Sequence, residues 1–202
     1  MAKKFFTADW HAGEVLENIP SLRATHSYLR PARTDTLIEQ WIQECWGKLT
    51  SEDTLFFLGD MALRLEDWQV YKALPPCKKI LIMGDKEYKS KFFSQEEFLE
   101  EIGKLDLFEK ISISDSVEVN GRHWTMGHVP TSLFANQTPI LCGHVHDIWR
   151  SQMTPQGFPI INVGIDAWHC LVSEEFIQHQ YDALTKGYYD GEARVDLWKT
   201  KE

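Results

Sequence analysis

Apolar runs in this chain repeatedly stop at aspartates and histidines, residue types able to bind metals. KKFFTADWH closes on Asp9 and His11, DTLFFLGD on Asp60, KKILIMGD on Asp85, RHWTMGH on His128, and TPILCGHVH on His144 and His146. Short runs rich in β-branched and aromatic residues predict buried strands, so each polar residue falls at the carboxyl end of a strand. Between the first runs lie helical patterns. TDTLIEQWIQECWGKL sets Leu37, Ile38, Trp41, Ile42, Cys45, Trp46 and Leu49 at offsets of three and four behind Thr34 or Asp35 as cap. LEDWQVYKAL is weaker and ends at Pro75 and Pro76; SQEEFLEEIGKL opens with Ser94 and Glu97 in capping-box spacing. Alternating strand and helix predicts a mostly parallel α/β sheet covered on both faces, whose carboxyl edge is where loops converge on a ligand.

The rhythm changes in the second half. Asn120-Gly121 between SVEV and RHWTM predicts a hairpin, FPIINVG another strand, SEEFIQHQYDAL a late helix and ARVDLW a final strand. Residues 12 to 33 form a connection too long for a simple turn, which points to a functional loop that shapes a pocket. A length of 202 residues with 43% apolar content fits one domain spanning 1–202. The formal charge of -9 argues against wrapping a long nucleic acid on a general basic surface. The start has no signal-peptide core and no run approaches a membrane span. Cysteines 45, 77, 142 and 170 are scattered without a CxxC pair, which predicts reduced thiols and a cytoplasmic protein without a membrane partner.

Asp9 and His11 are two apart, so in extended backbone they share a face and can reach one ion. His144 and His146 have the same spacing, although a bend at Gly143 would send them to different ions. Carboxylate oxygen with imidazole nitrogen suits Mn, Fe, Zn or Co better than calcium. Seven donors exceed what one ion needs, and a carboxylate such as Asp60 can bridge. That describes two ions about 3.5–4 Å apart, an arrangement suited to phosphoester hydrolysis by a metal-bridging hydroxide, without a protein nucleophile.

The series D9-W-H11, G59-D60, G84-D85-K86-E87, G127-H128 and G143-H144-V-H146 resembles the calcineurin-like metallophosphoesterase family, whose pattern is DxH, GD, GNH[DE], GH and GHxH. The resemblance runs from about residue 5 to residue 182. Compact size, the RP at 30 and 31 and NVGIDAW at 162 to 168 resemble its small bacterial and phage members. It implies a four-layer α/β/β/α sandwich, with Asp9, His11, Asp60 and His146 on one ion and Asp60, Asp85, His128 and His144 on the other. It implies two divalent ions, manganese before Fe, Zn, Co or Ni.

GDKE departs from that pattern. Asp85 stands where the family has Asn; it remains an oxygen ligand but adds negative charge, weakening the ion's Lewis acidity. Lys86 stands where the family has His, and its ammonium suits charge compensation better than proton donation. The expectation is therefore a phosphoesterase, with Asp60 and Lys86 as catalytic residues, acting on a small phosphodiester or nucleotide as a monomer or small homo-oligomer. Short nucleic acid is a further substrate class. The competing readings are a metal-binding homologue weakened in catalysis, with a binding or regulatory role, and a scaffold without metal.

Smaller assignments complete the picture. Arg30 is placed as a phosphate contact, since guanidinium can hold two oxygens, against the plain alternative of a surface arginine. His26, His123 and His179 are read as structural, His169 as either a pocket or an interface residue, and Asp166 as a carboxylate supporting a ligand. Trp10 and Trp168 either flank the pocket or sit in the core, and Trp41 and Trp46 are assigned to the core.

Overall fold

Alternating side chains force these strands to bury both faces, and they do so in two sheets. The computed structural model describes residues 2–13, 35–46 and 49–187. β1 (Lys4–Thr7), β2 (Thr54–Phe57), β3 (Lys78–Ile82) and β4 (Lys110–Ser112) run parallel in that order. β10 (Val172–Ser173) adds antiparallel to the free side of β1. The second sheet follows the order β5 (Ser114–Val119), β6 (Arg122–Gly127), β7 (Ile140–Cys142), β9 (Pro159–Asn162), β8 (Ser151–Met153), with β6, β7 and β9 parallel and the edge strands antiparallel.

Neighbouring residues of one strand enter different cores, as the two-residue repeat of a strand requires. Leu55 and Phe57 of β2 face Trp10, Ile38, Trp46 and Phe98, under α1 (Asp35–Trp46), a 3-10 helix (Glu66–Ala73) and α3 (Gln95–Lys104). Phe56 and Leu58 instead join Phe6, Ile82, Trp124, Leu141 and Ile161 between the sheets. On the far side Ile140, Cys142 and Ile160 pack with Leu133, which belongs to a second 3-10 helix (Pro130–Asn136). The late helix α5 (Glu174–Thr185) sends Ile177 and Leu184 into the core between the sheets. Two single-turn helices, α2 (Asp85–Tyr88) and α4 (Ile165–Trp168), follow β3 and β9. The result is the expected α/β sandwich.

Local signals behave as their chemistry dictates. Ser94 Oγ accepts from Glu97 N at 3.2 Å while Glu97 Oε2 accepts from Ser94 N at 2.7 Å, closing the capping box of α3. Asn120 and Gly121 have φ of 50° and 73°, the double left-handed turn that a two-residue hairpin needs. Leu74 is extended before Pro75, which ends the first 3-10 helix. The one mostly parallel sheet expected from the alternation alone is corrected at Ile113. β4 completes the first sheet, and the chain leaves Ile113 54% exposed as it crosses into β5 of the second. The strand expected at ARVDLW, the cap at Thr34 and nearly all of the 12 to 33 loop, with His26 and Arg30, lie outside the described residues. So do the side chains of Asp35 and Cys45.

Candidate metal centre

The loops leaving β1, β2, β3, β6 and β7 converge at one rim. Asp9 N donates to Gly59 O at 3.0 Å and His11 N to Asp60 O at 3.0 Å, lacing the first two loops together. Gly59 (φ 85°) lies against Gly84; a Cβ at Gly59 would come 2.5 Å from Gly84 Cα and 2.8 Å from His128 Nδ1. Only glycine permits that approach.

Left-handed backbone is concentrated at this rim. Asp9, His11, Asp60, His144 and His146 have φ of 61°, 49°, 54°, 74° and 50°. Such conformations are costly for residues with a side chain and persist where surrounding contacts enforce them, typically at functional sites. Here the enforcement is visible: both oxygens of Asp9 accept from His144 N, at 3.1 and 3.0 Å, and Asp60 Oδ1 accepts from Lys86 N at 2.8 Å.

Two compact groups of candidate ligands result, Asp9–His11–His146 and Asp9–Asp60–His128, each with its donor atoms within 4.8 Å of one another. They share Asp9. Asp60 nevertheless spans the site, with His11 Nε2 at 3.6 Å from Oδ2 and His128 Nε2 at 3.4 Å from Oδ1. The imidazoles pair as His11 with His146 and His128 with His144, with ring centroids 5.1 and 5.2 Å apart. His144 and His146 therefore diverge, because left-handed backbone at both removes the shared face that an extended strand would give them. Asp85 and His144 stand 3.9 Å apart, 37% and 42% exposed, outside the compact triads. Asp85 Oδ1 also meets Lys89 Nζ at 3.0 Å.

The donor chemistry fits divalent cations. His128 Nδ1 donates to Leu58 O at 2.7 Å and His146 Nδ1 donates to Asp166 Oδ2 at 2.8 Å, so both rings keep Nε2 for another partner. His128 Nε2 is buried and makes no hydrogen bond. Burial pushes Asp60 up, but the His128 and His11 imidazoles more than reverse this and hold the carboxyl well below the usual range. Burial likewise pushes His128 down, and the Asp60 and Asp9 carboxylates overcome it, raising the imidazole to about 10. His144 is lowered by burial and by His128. A buried carboxylate that leans on a protonated imidazole is a site that asks for positive charge.

Glu87 is the residue that sequence reasoning missed. It belongs to α2, is 1% exposed, and accepts from Asp60 N, Gly84 N and Met61 N at 2.9, 2.8 and 2.7 Å. Burial, reinforced by Asp60, raises its carboxyl to about 7. The visible signal was spacing: Glu87 stands three residues after Gly84, where a first-turn acid caps backbone amides. Asn162 was missed as well. Its Nδ2 donates to His146 O and Trp149 O at 2.6 and 2.9 Å, and its Oδ1 accepts from Gly164 N at 2.8 Å, fixing the loop behind His146. It too is a polar residue closing an apolar run.

The remaining assignments separate cleanly. Lys86 is half-buried, and its backbone amide ties it to the site through Asp60. Asp166 supports His146 as expected. Trp10 is core, donating to Thr7 Oγ1 at 2.6 Å and packing on Trp46, and Trp46 is fully buried; Trp41 is partly buried against the same cluster. Trp168 bonds Asn162 O and packs edge-on against Phe176. His123 and His179 are exposed. His169 lines a hollow of about 720 Å³ with Asp53 and Cys170, which contains none of the candidate ligands.

Solved structures resemble this chain to different degrees. A protein of unknown function from Aquifex aeolicus, AQ665, superposes with a TM-score of 0.61 at 22% identity, over 89% of this chain and 100% of its own. A novel archaeal phosphodiesterase gives 0.46 at 16% identity, over 82% and 86%. A Streptococcus pneumoniae TIGR4 protein described as a predicted phosphoesterase gives 0.37 at 14%, over 81% and 74%. No protein-family model and no curated protein matches the sequence. The likeness to AQ665 shows the fold alone, an α/β sandwich, and two candidate metal-binding triads lie at its rim. Among the described residues, no helix is long and apolar enough to cross a membrane.

Proposed function

We propose that this protein is a phosphoesterase that uses two divalent ions, manganese first, to hydrolyse a small phosphodiester or nucleotide. Asp9, His11, Asp60 and His146 would hold one ion, and Asp60, Asp85, His128 and His144 the other. Such a pair supplies an activated water and polarises the phosphate. Asp166 and the Leu58 carbonyl orient His146 and His128 through Nδ1, so Nε2 is the nitrogen each would offer an ion, which on His128 would take the place of a proton. Glu87 keeps the Asp60 and Gly84 loops in register. Lys86 places a cation beside the site, where it offsets charge on a phosphate. Arg30 is assigned a second phosphate contact, and the cell compartment is the cytoplasm, with one domain acting alone or as a small homo-oligomer.

The observation that carries this reading is the pairing of four imidazoles, two and two, around Asp9 and Asp60. Its test is hydrolysis of bis(p-nitrophenyl) phosphate by metal-stripped protein before and after Mn²⁺, with Asp60→Asn as the blank. Turnover that appears with Mn²⁺ and is absent from the variant is the expected result. Equal rates for both proteins would defeat it. A second reading, a metal-binding protein weakened in catalysis, draws support from the Asp85–Lys89 pair, which competes for a ligand of the second ion.

A further inference from the structure

The face beside Asp85 and His128 has a composition unlike the rest of this acidic chain. A cleft of about 260 Å³ joins these two candidate ligands to Met83, Tyr88, Ile113 and Val129. Tyr88 and Ile113 are 47% and 54% exposed, and Phe92, four residues on from Tyr88, is 57% exposed. These are three of the five large exposed hydrophobics among the described residues, whose other two are Leu99 and Ile148. Scattered singly they would mean nothing; here two of them line one cleft at the metal centre.

Charge is arranged in the same way. Between residues 86 and 92 the chain carries Lys86, Lys89 and Lys91 against one acid, Glu87, which is turned inward and spent on three backbone amides. Lys89 and Lys91 are exposed. Lys89 gives one donor to Asp85 and has two more on its ammonium. Beyond them the Arg64 guanidinium lies 5.2 Å from the Phe92 ring centre, and both border a second hollow of about 230 Å³. Rings interleaved with lysines from residue 88 to 92, beginning beside the candidate metal ligands Asp85 and His128, match a ligand that alternates flat faces with negative charges.

Resting on the phosphodiesterase reading, we infer that this face binds a short single-stranded oligonucleotide, with one phosphate at the metal centre. A base lies on Tyr88 against Ile113, the following phosphates meet Lys89 and Lys91, and a further base reaches Phe92. A phosphopeptide fits less well, because the segment offers point-charge lysines where phosphate side chains favour forked guanidinium pairs.

The test separates base from charge. Phosphorothioate pentathymidylate, which resists hydrolysis, is compared with the same phosphorothioate chain lacking bases, both with protein in Mn²⁺. Wild type should bind the base-bearing chain about tenfold more tightly. Tyr88→Ala should erase that preference and Tyr88→Phe keep it. The Lys89→Glu/Lys91→Glu variant should weaken both chains and flatten the logarithmic salt slope by about 0.7 for each phosphate that is no longer neutralised. Equal binding of the two chains by wild type, a preference that survives Tyr88→Ala, or tighter binding of a phosphopeptide would overturn the inference. Hydrolysis of bis(p-nitrophenyl) phosphate by the same preparation keeps the two readings apart. Turnover without base preference sinks this proposal alone, and base preference without turnover sinks the phosphodiesterase reading alone.

Discussion

The inner and outer halves of the candidate metal centre are built differently. Asp9, His11, Asp60, His128 and His146 are all buried, four of them on left-handed backbone and each imidazole or carboxylate close to another. Asp85 and His144 are more than a third exposed, and Asp85 shares an oxygen with Lys89. GDKE spans the boundary. Its glycine and glutamate are buried and belong to the scaffold; its aspartate and lysine are half-buried. The two departures from the family pattern thus fall on the half of the motif that the fold constrains least.

Glu87→Ala should therefore be the most damaging change in the motif. Three buried amides lose their acceptor at once, and at about 1–3 kcal/mol for each unsatisfied group the loss should be at least ~3 kcal/mol. Denaturant unfolding of metal-stripped protein measures it, with Asp85→Ala beside it as the outward counterpart. A loss at Asp85 as large as at Glu87 would break the distinction between the halves.

Next in size is the pH dependence of the metal-free protein. His128 is raised to about 10 in the folded state against an ordinary value near 6.5. Its contribution to stability is fully present below 6.5 and disappears as pH climbs through about 10. Melting temperature should fall across that interval in stripped protein and lose this slope in His128→Gln. The depressed Asp60 reports the same pair from the acid side: that contribution holds above the ordinary carboxylate range and is lost as pH drops. With Mn²⁺ bound the alkaline loss should vanish, because the ion replaces the proton on the ring.

What sequence could and could not reveal follows the same division. Polar residues at strand ends were legible because a parallel sheet aligns those ends, and Asp9, Asp60 and His128 are where the pattern put them. The split of GHVH was implied by the resemblance and left open by the spacing, since it depends on φ at His144 and His146, which no spacing encodes. The second sheet came from the resemblance and not from the alternation, which reads the same in either sheet; the exposed Ile113 marks the crossing. β8 was missed because SQM is short and polar, although Ser151 and Gln152 are buried. Glu87 escaped because a buried acid holding amides and an exposed turn acid share one letter.

Lys86→His restores the imidazole of the family pattern on the outer half. Positioned acid-base groups contribute about 10²–10⁴ in rate, so kcat on bis(p-nitrophenyl) phosphate should rise by at least about tenfold. Melting temperature should not move, because the bond to Asp60 is made by the backbone amide and survives the substitution. A rise in kcat with a shifted melting temperature would mean that the Lys86 side chain also belongs to the scaffold.

The smallest effect should come from Lys89→Met. Its pair with Asp85 is exposed on both sides, and such pairs are worth about 0–1 kcal/mol, so stability should hardly change. Metal affinity is the sharper readout. Removing the ammonium frees Asp85 Oδ1 and unmasks the negative charge that the Asn-to-Asp departure introduced, so the weaker of two Mn²⁺ sites should tighten several-fold in calorimetric titration while the stronger one stays put. That asymmetry follows only if Asp85 serves the outer ion and the buried residues serve the inner one. Equal tightening at both sites would mean that Lys89 acts through the general field of the pocket, and the boundary drawn through GDKE would then be electrostatically blurred even where it is sharp in packing.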